Sequence, residues 1–283
     1  MREVRATGEE ALRLATELLQ RARRADANLG LWEAADVQWW SRTARPSDDV
    51  EKPFWVDDQG PVAGVLLTSW SDGNWQCDPV VVPGAPGADR VNLWERAVEL
   101  GAQHSTAGFK IAVDDEDRLY RQLAESAGLI AVDHDRTAWL NTADRAPAVA
   151  MPEGFELVDR TERQGAAHPM QQRNGAQVAE RLAQCSLYDP ALDLSVESAD
   201  GHMAGYSLYW YDQTTGVGLV EPVRVADEFH RRGLARAMLS EGIDRLLERG
   251  ARRVKVSFAT EVAAALYEGL GFRPTSSTSW YSA

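Results

Sequence analysis

The chain has 283 residues, with 30 Lys plus Arg against 43 Asp plus Glu, a net charge of −13, 44% hydrophobic and 26% charged residues. That is ordinary for a water-soluble globular protein with sizeable cores, and at about 150 residues per domain it implies two domains. It excludes the basic footprint that nucleic acid requires, an apolar run of the ~18 residues a membrane span needs (residues 61–67 are the best stretch), and, with only Cys77 and Cys185, a disulfide framework or a zinc site.

Glu9, Glu10 and Glu17 sit among the first arginines, so the N-terminus reads neither as a signal peptide nor as an acid-poor transit peptide. A cytoplasmic, metal-free protein is expected. A short strand near Val4 leads to Thr7 and Glu10, spaced as a capping box. Ala11, Ala15, Leu18 and Ala22 then recur at helical spacing. Residues 54–56 and 62–67 flank Asp58, Gln59 and Gly60 as a hairpin, and residues 76–82 form a third strand. After the proline- and glycine-rich stretch 83–91 come a helix, a strand, a helix and the pair Gly128–Leu129.

Residues 141–152, polar and then rich in Ala and Pro, read as a linker. The same order then returns. A strand near Leu157 precedes Thr161 and Gln164, again at capping-box spacing. Residues 192–196 and 203–210 flank the turn Asp200–Gly201, and residues 217–225 are the third strand. Gly60 and Gly201 lie 141 positions apart, and Gly128 and Gly271 lie 143 apart. Two landmarks at nearly one offset indicate an internal duplication.

The third strand of the second half runs into His230, Arg231, Arg232, Gly233, Leu234, Ala235 and Arg236, and then a helix whose stripe is Ala235, Leu239, Ile243 and Leu246. A glycine turn opening a helix directs free amide N–H groups, the helix dipole and nearby arginines toward an anion, most naturally phosphate. Taken alone, an Arg-Arg-Gly run is also the ordinary start of a solvated helix.

It is followed by the strand 253–258 and by Leu266, Tyr267, Glu268, Gly269, Leu270, Gly271 and Phe272. With Gly233 and Ala235 in register, residues 153–283 resemble the GNAT superfamily of N-acetyltransferases. In that family a Q/R-x-x-G-x-G/A loop holds the pyrophosphate of acetyl-CoA, and a helix ending in L-Y-x-x-x-G-F completes the site. The resemblance implies an α/β (α+β) chain of two tandem GNAT-like domains, each a mixed, mostly antiparallel twisted sheet flanked by helices. Residues 1–145 would be a degenerate copy and 153–283 the catalytic one. It departs from the pattern at His230, where Gln or Arg is usual, and at Thr260, where Asn is frequent.

The resemblance further implies direct transfer of an acetyl or other short acyl group from acetyl-CoA to the amine of a small molecule. Tyr267 would be the acid for the leaving thiol. Val223, Val225, His230, Arg231, Arg232, Gly233, Leu234, Ala235, Arg236 and Thr260 would hold the cofactor. Glu221 shares a strand face with Val223 and Val225 by period two and is the candidate base, unless it merely ends a ladder or pairs with an arginine. His168, His202 and Asp193 have weaker claims. Alternatives are a donor carried as phosphopantetheine on an acyl carrier protein, and a CoA-binding module without turnover. The acidic balance favours a cationic acceptor. In the first half, residues 83–91 lack the loop pattern, Asp89 would repel a pyrophosphate, and Ala124 falls opposite Tyr267.

Overall fold

A computed structural model describes every residue except Pro86, Ala88 and Gln164. The chain divides into two compact units, residues 1–136 with 276–283, and residues 137–275. The first unit contains β1 (Arg2–Ala6), α1 (Gly8–Ala25), α2 (Ala34–Trp40), β2 (Lys52–Asp57), β3 (Gly60–Ser69), β4 (Trp75–Val81), α3 (Arg90–His104), β5 (Phe109–Asp114), α4 (Arg118–Ser126) and the start of β6 (Ile130–Asn141). The second contains β7 (Phe155–Asp159), α5 (Gln171–Asn174), α6 (Val178–Ala183), β8 (Asp193–Ser198), β9 (Met203–Asp212), β10 (Val217–Val225), α7 (Leu234–Glu248), β11 (Arg253–Phe258), α8 (Glu261–Glu268) and the start of β12 (Arg273–Ser282).

In the first unit the sheet order is β1-β2-β3-β4-β5, followed by the tail of β12, which pairs with β5. In the second it is β7-β8-β9-β10-β11, followed by the tail of β6. In both, a parallel pair joins the third strand of the meander to the strand after the long helix, β4 to β5 and β10 to β11. The stretch 141–152 belongs to the second unit: Ala146 N–H donates to Leu270 O, and Arg145 pairs with Asp244.

Apolar spacing drives this assembly. On α7, Leu239, Ile243 and Leu246 are at most 1% exposed, each burial contributing about 1.5–3 kcal/mol. Gly101 in α3 and Gly242 in α7, also 141 positions apart, let an aromatic ring approach; a Cβ would lie 2.4 Å from Phe109 and 2.0 Å from Tyr209. Such glycines cost about 1 kcal/mol of helix propensity, which the buried rings offset.

Two local expectations need correction. Helix α1 does start after Thr7, but the Thr7 side chain makes no capping bond. Glu10 is instead held by Arg13 one turn on, through bonds of 2.7 and 2.8 Å, and a carboxylate engaged there cannot reach back to the cap. At the second box, Gln164 lies outside the described residues. Thr161 folds back locally, its N–H donating to Asp159 Oδ1 at 2.9 Å.

Candidate functional site

Strand β10 pairs with β9 along its length but with β11 only over Val217 to Leu219. The register with β9 jumps between Val220↔Tyr209 and Val223↔Ser207, so Glu221 and Pro222 together face Leu208. This is a β-bulge, and the extra residue bends the strand and ends its ladder with β11. Beyond it, Val223–Val225 have backbone groups on the β11 side that no strand register uses. The bulge also corrects the expectation that Glu221 shares a face with Val223 and Val225. One inserted residue breaks the period of two, and the two valines pack against Leu234 and Met238 of α7 without it.

The loop after β10 ends on Gly233, the N-cap of α7, at φ 85°, with Arg231 also left-handed at φ 60°. Gly233 brings no capping side chain, so the first amides of α7 lack internal acceptors. His230 Nε2 donates to Val225 O at 3.1 Å and staples the loop to the strand. Arg232 lies over the Phe229 ring at 5.3 Å. Arg236 donates to Gly269 O at 3.0 Å, tying α7 to the end of α8. Arg231 is exposed and makes no side-chain bond to any described residue. Leu234 is buried and Ala235 half-buried. The open strand edge, unsatisfied helix amides and adjacent guanidinium together fit an extended, amide-bearing chain that ends in a pyrophosphate.

Tyr267 projects from α8 between Phe258 and Phe272, with centroids at 5.5 and 5.7 Å. Burial, and then the charge of Glu221, hold its phenol well above the ordinary tyrosine range, so it keeps its proton at neutral pH. The Glu221 carbonyl accepts from Trp210 Nε1 at 2.9 Å. Thr260 is the N-cap of α8, its hydroxyl accepting from Ala263 N–H at 3.2 Å. Gly271 is at φ 100°, where a Cβ would sit 2.2 Å from Asp144 O, which gives the motif glycine a packing reason.

On the other sheet face the structure shows what sequence reading missed. His168 Nε2 donates to Asp193 Oδ2 at 2.8 Å, while Met170 N–H donates to His168 Nδ1. With Nδ1 accepting and Nε2 donating, both ring nitrogens of the buried imidazole are engaged within the protein, which makes it a scaffold. Tyr188 Oη donates to the same Asp193 oxygen at 2.8 Å, and its ring meets Trp210 edge-on. His202 is exposed at the hairpin turn. Beside this network lies a cavity of about 540 Å³ lined by Arg160, Arg163, His168, Ser195 and Glu197 among others. Arg160, Arg163 and His168 come from the stretch between β7 and α5, and Ser195 and Glu197 from alternate positions of β8; only the packing of that stretch against the sheet brings the two groups together.

The first unit fills the corresponding places with its own groups. The Asp89 carboxylate accepts from Val91 N–H and Asn92 N–H at the start of α3. On β4, Asp78 accepts from Ala112 N–H of β5 at 2.9 Å and from Gln76 Nε2, and the β3–β4 register runs without a bulge. Leu129 N–H bonds Ala124 O just as Phe272 N–H bonds Tyr267 O, so Ala124 and Tyr267 are structural equivalents.

The family model described as Acetyltransferase (GNAT) family matches residues 159–272. A mycothiol acetyltransferase of Tsukamurella paurometabola is 29% identical over 228 residues, 75% of this chain, and the chain spans 65% of that relative. A tandem GNAT protein from the clavulanic acid biosynthesis pathway, solved without AcCoA, superposes with a TM-score of 0.71 at 18% identity, covering 100% of this chain and 98% of its own. A GCN5-related N-acetyltransferase from Sphaerobacter thermophilus gives 0.64 at 18% identity, covering 99% and 95%. These likenesses give the fold, two GNAT-like domains in tandem. Residues 159–272 thus resemble the GNAT acetyltransferases, and the tandem fold of that kind extends over the whole chain.

Proposed function

We propose that the second unit, with residues 153–283 as its catalytic domain, moves an acetyl group from acetyl-CoA directly to the amine of a small molecule. Residues 1–145 would be a degenerate copy. The bulge at Glu221–Pro222 carries this reading, because it opens the strand edge between the α7 N-terminus and Tyr267. Bound acetyl-CoA supplies the activated acyl group. The backbone of Val223 and Val225 would hold its amide-bearing arm, and Arg231, Arg232 and the amides from Gly233 to Arg236 its pyrophosphate. His230 keeps that loop in place, and Thr260 fixes the start of α8 at the edge of the site. Tyr267 Oη holds a proton for the leaving sulfur. Glu221 takes one from the attacking amine, which must be neutral to react.

The arginine-bearing loop favours free CoA over phosphopantetheine on a carrier protein, which has no pyrophosphate. The mycothiol acetyltransferase relative supports acetyl as the acyl group. The cytoplasm, which holds acetyl-CoA, is the proposed compartment. The test is thiol release from acetyl-CoA across a panel of small amines, beside calorimetry of CoA binding. Amine-dependent release is expected. Tight CoA binding with no release on any amine would reduce the unit to a CoA-binding module, and release only from an acylated carrier protein would change the donor.

A further inference from the structure

The cavity beside His168 has two arginines in its lining, and they are used differently. Arg163 is spent on Glu197, with Nε to Oε1 at 3.1 Å and Nη2 to Oε2 at 2.8 Å. Glu156 and Glu162 also act on Arg163 and are not among the lining residues. Arg160 gives one N–H to Ala166 O at 3.0 Å and has no carboxylate at ion-pair distance among the described residues. Arg160, half-buried as a residue, lines a cavity of about 540 Å³ with its guanidinium free of any carboxylate at ion-pair distance among the described residues, and such a cation is matched by an anionic ligand group.

The cavity's place on the sheet links it to the bulge. Ser195 of β8 is opposite Tyr206 of β9, which is opposite Arg224 of β10, so all three side chains share one sheet face. The next pair on that face is Asp193 with Leu208, and Leu208 is the residue the bulge spans. From β8 to β10 is two strand spacings, roughly 10 Å. A series of contacts runs across this face from His168 through Asp193, Tyr188 and Trp210 to the Glu221 carbonyl.

Resting on the acyl-transfer reading above, we infer that this cavity receives the acceptor, that Arg160 is its anion anchor, and that the acceptor carries a carboxylate several bonds from its amine. The whole-chain charge favours a cationic partner, but the cavity adds a local requirement of opposite sign.

The experiment compares ω-amino acids of increasing chain length with their primary amides, which keep the amine and lose the charge. The acids should exceed the amides at least 10-fold in kcat/KM, mostly through KM, with an optimum at intermediate length. Arg160→Met should erase that advantage, and Arg160→Lys should restore part of it. Thermal melts of the CoA-bound protein with the same compounds need no turnover, and only the acids should raise Tm. Amides turned over as well as acids would overturn the anchor and leave acyl transfer standing. Acids that bind without thiol release would overturn acyl transfer and leave the anchor. Compounds that neither bind nor react would overturn the proposal.

Discussion

Helices α3 and α7 occupy the same step of a repeated plan, yet they begin in opposite ways. At α7 the chain enters through left-handed Gly233 and leaves amides open, while at α3 the Asp89 carboxylate takes up two of those donors. The strand ahead of each helix differs in the same sense. Strand β10 bulges and parts from β11, whereas β4 runs straight and Asp78 reaches across to an amide of β5. A backbone donor must be satisfied by something, and the first unit satisfies with its own side chains what the second leaves open, as the proposed cofactor site requires.

The sharpest way to break the comparison is Gly233→Asp, which puts the first unit's carboxylate at the second unit's helix start. CoA affinity in calorimetry should fall by about 100-fold or more, since the change adds both repulsion and strain at φ 85°. An unchanged affinity would move the anion site elsewhere. Next, Tyr267→Phe should lower kcat by roughly 10²-fold, the usual scale for a lost general acid, with Tm and CoA binding preserved; a wild-type kcat would make Tyr267 a packing residue like Ala124. Glu221→Gln should reduce kcat/KM about 10-fold near neutral pH. Part of the loss should return at high pH, where neutral amine is abundant.

Two smaller effects belong to the first unit. Burial pushes Asp78 up to about 7, so the folded state binds its proton more tightly than the unfolded chain. The stabilisation is full below the ordinary carboxylate range and is lost as pH rises toward 7. Melts at pH 7 should show roughly 1.5 kcal/mol less stability than at pH 5.5 from this group, and Asp78→Asn should flatten that slope. A variant with the wild-type slope would remove Asp78 as its source. Asp89→Ala should cost about 1 kcal/mol as a lost helix cap, while CoA stoichiometry stays at one per chain. A second CoA site in that variant would show that the cap alone closes the first unit.

Much of this was legible in the chain itself. Strand and helix periodicity, the turn glycines and the L-Y-x-x-x-G-F run gave the repeated plan and the open helix start, because each is a local pattern fixed by backbone geometry. The alignment of Ala124 with Tyr267 followed from glycine spacing, and equivalent backbone bonds support it. The bulge was not legible: whether Glu221 continues an alternation or interrupts it depends on register against β9, which is a property of two strands. The burial of Arg23 with Glu33, bonded at 3.0 Å, was equally hidden, since a charged residue on an amphipathic helix reads as solvated. The cavity that Arg160 shares with His168 and Ser195 forms where the stretch after β7 packs against β8, which no local pattern encodes. By itself the sequence determined the elements, their repetition and the half whose helix starts on an uncapped glycine, because short-range sterics and spacing encode them. Tertiary structure alone decided which polar groups meet a partner and which face an open cavity, because long-range packing sets that balance of desolvation and pairing.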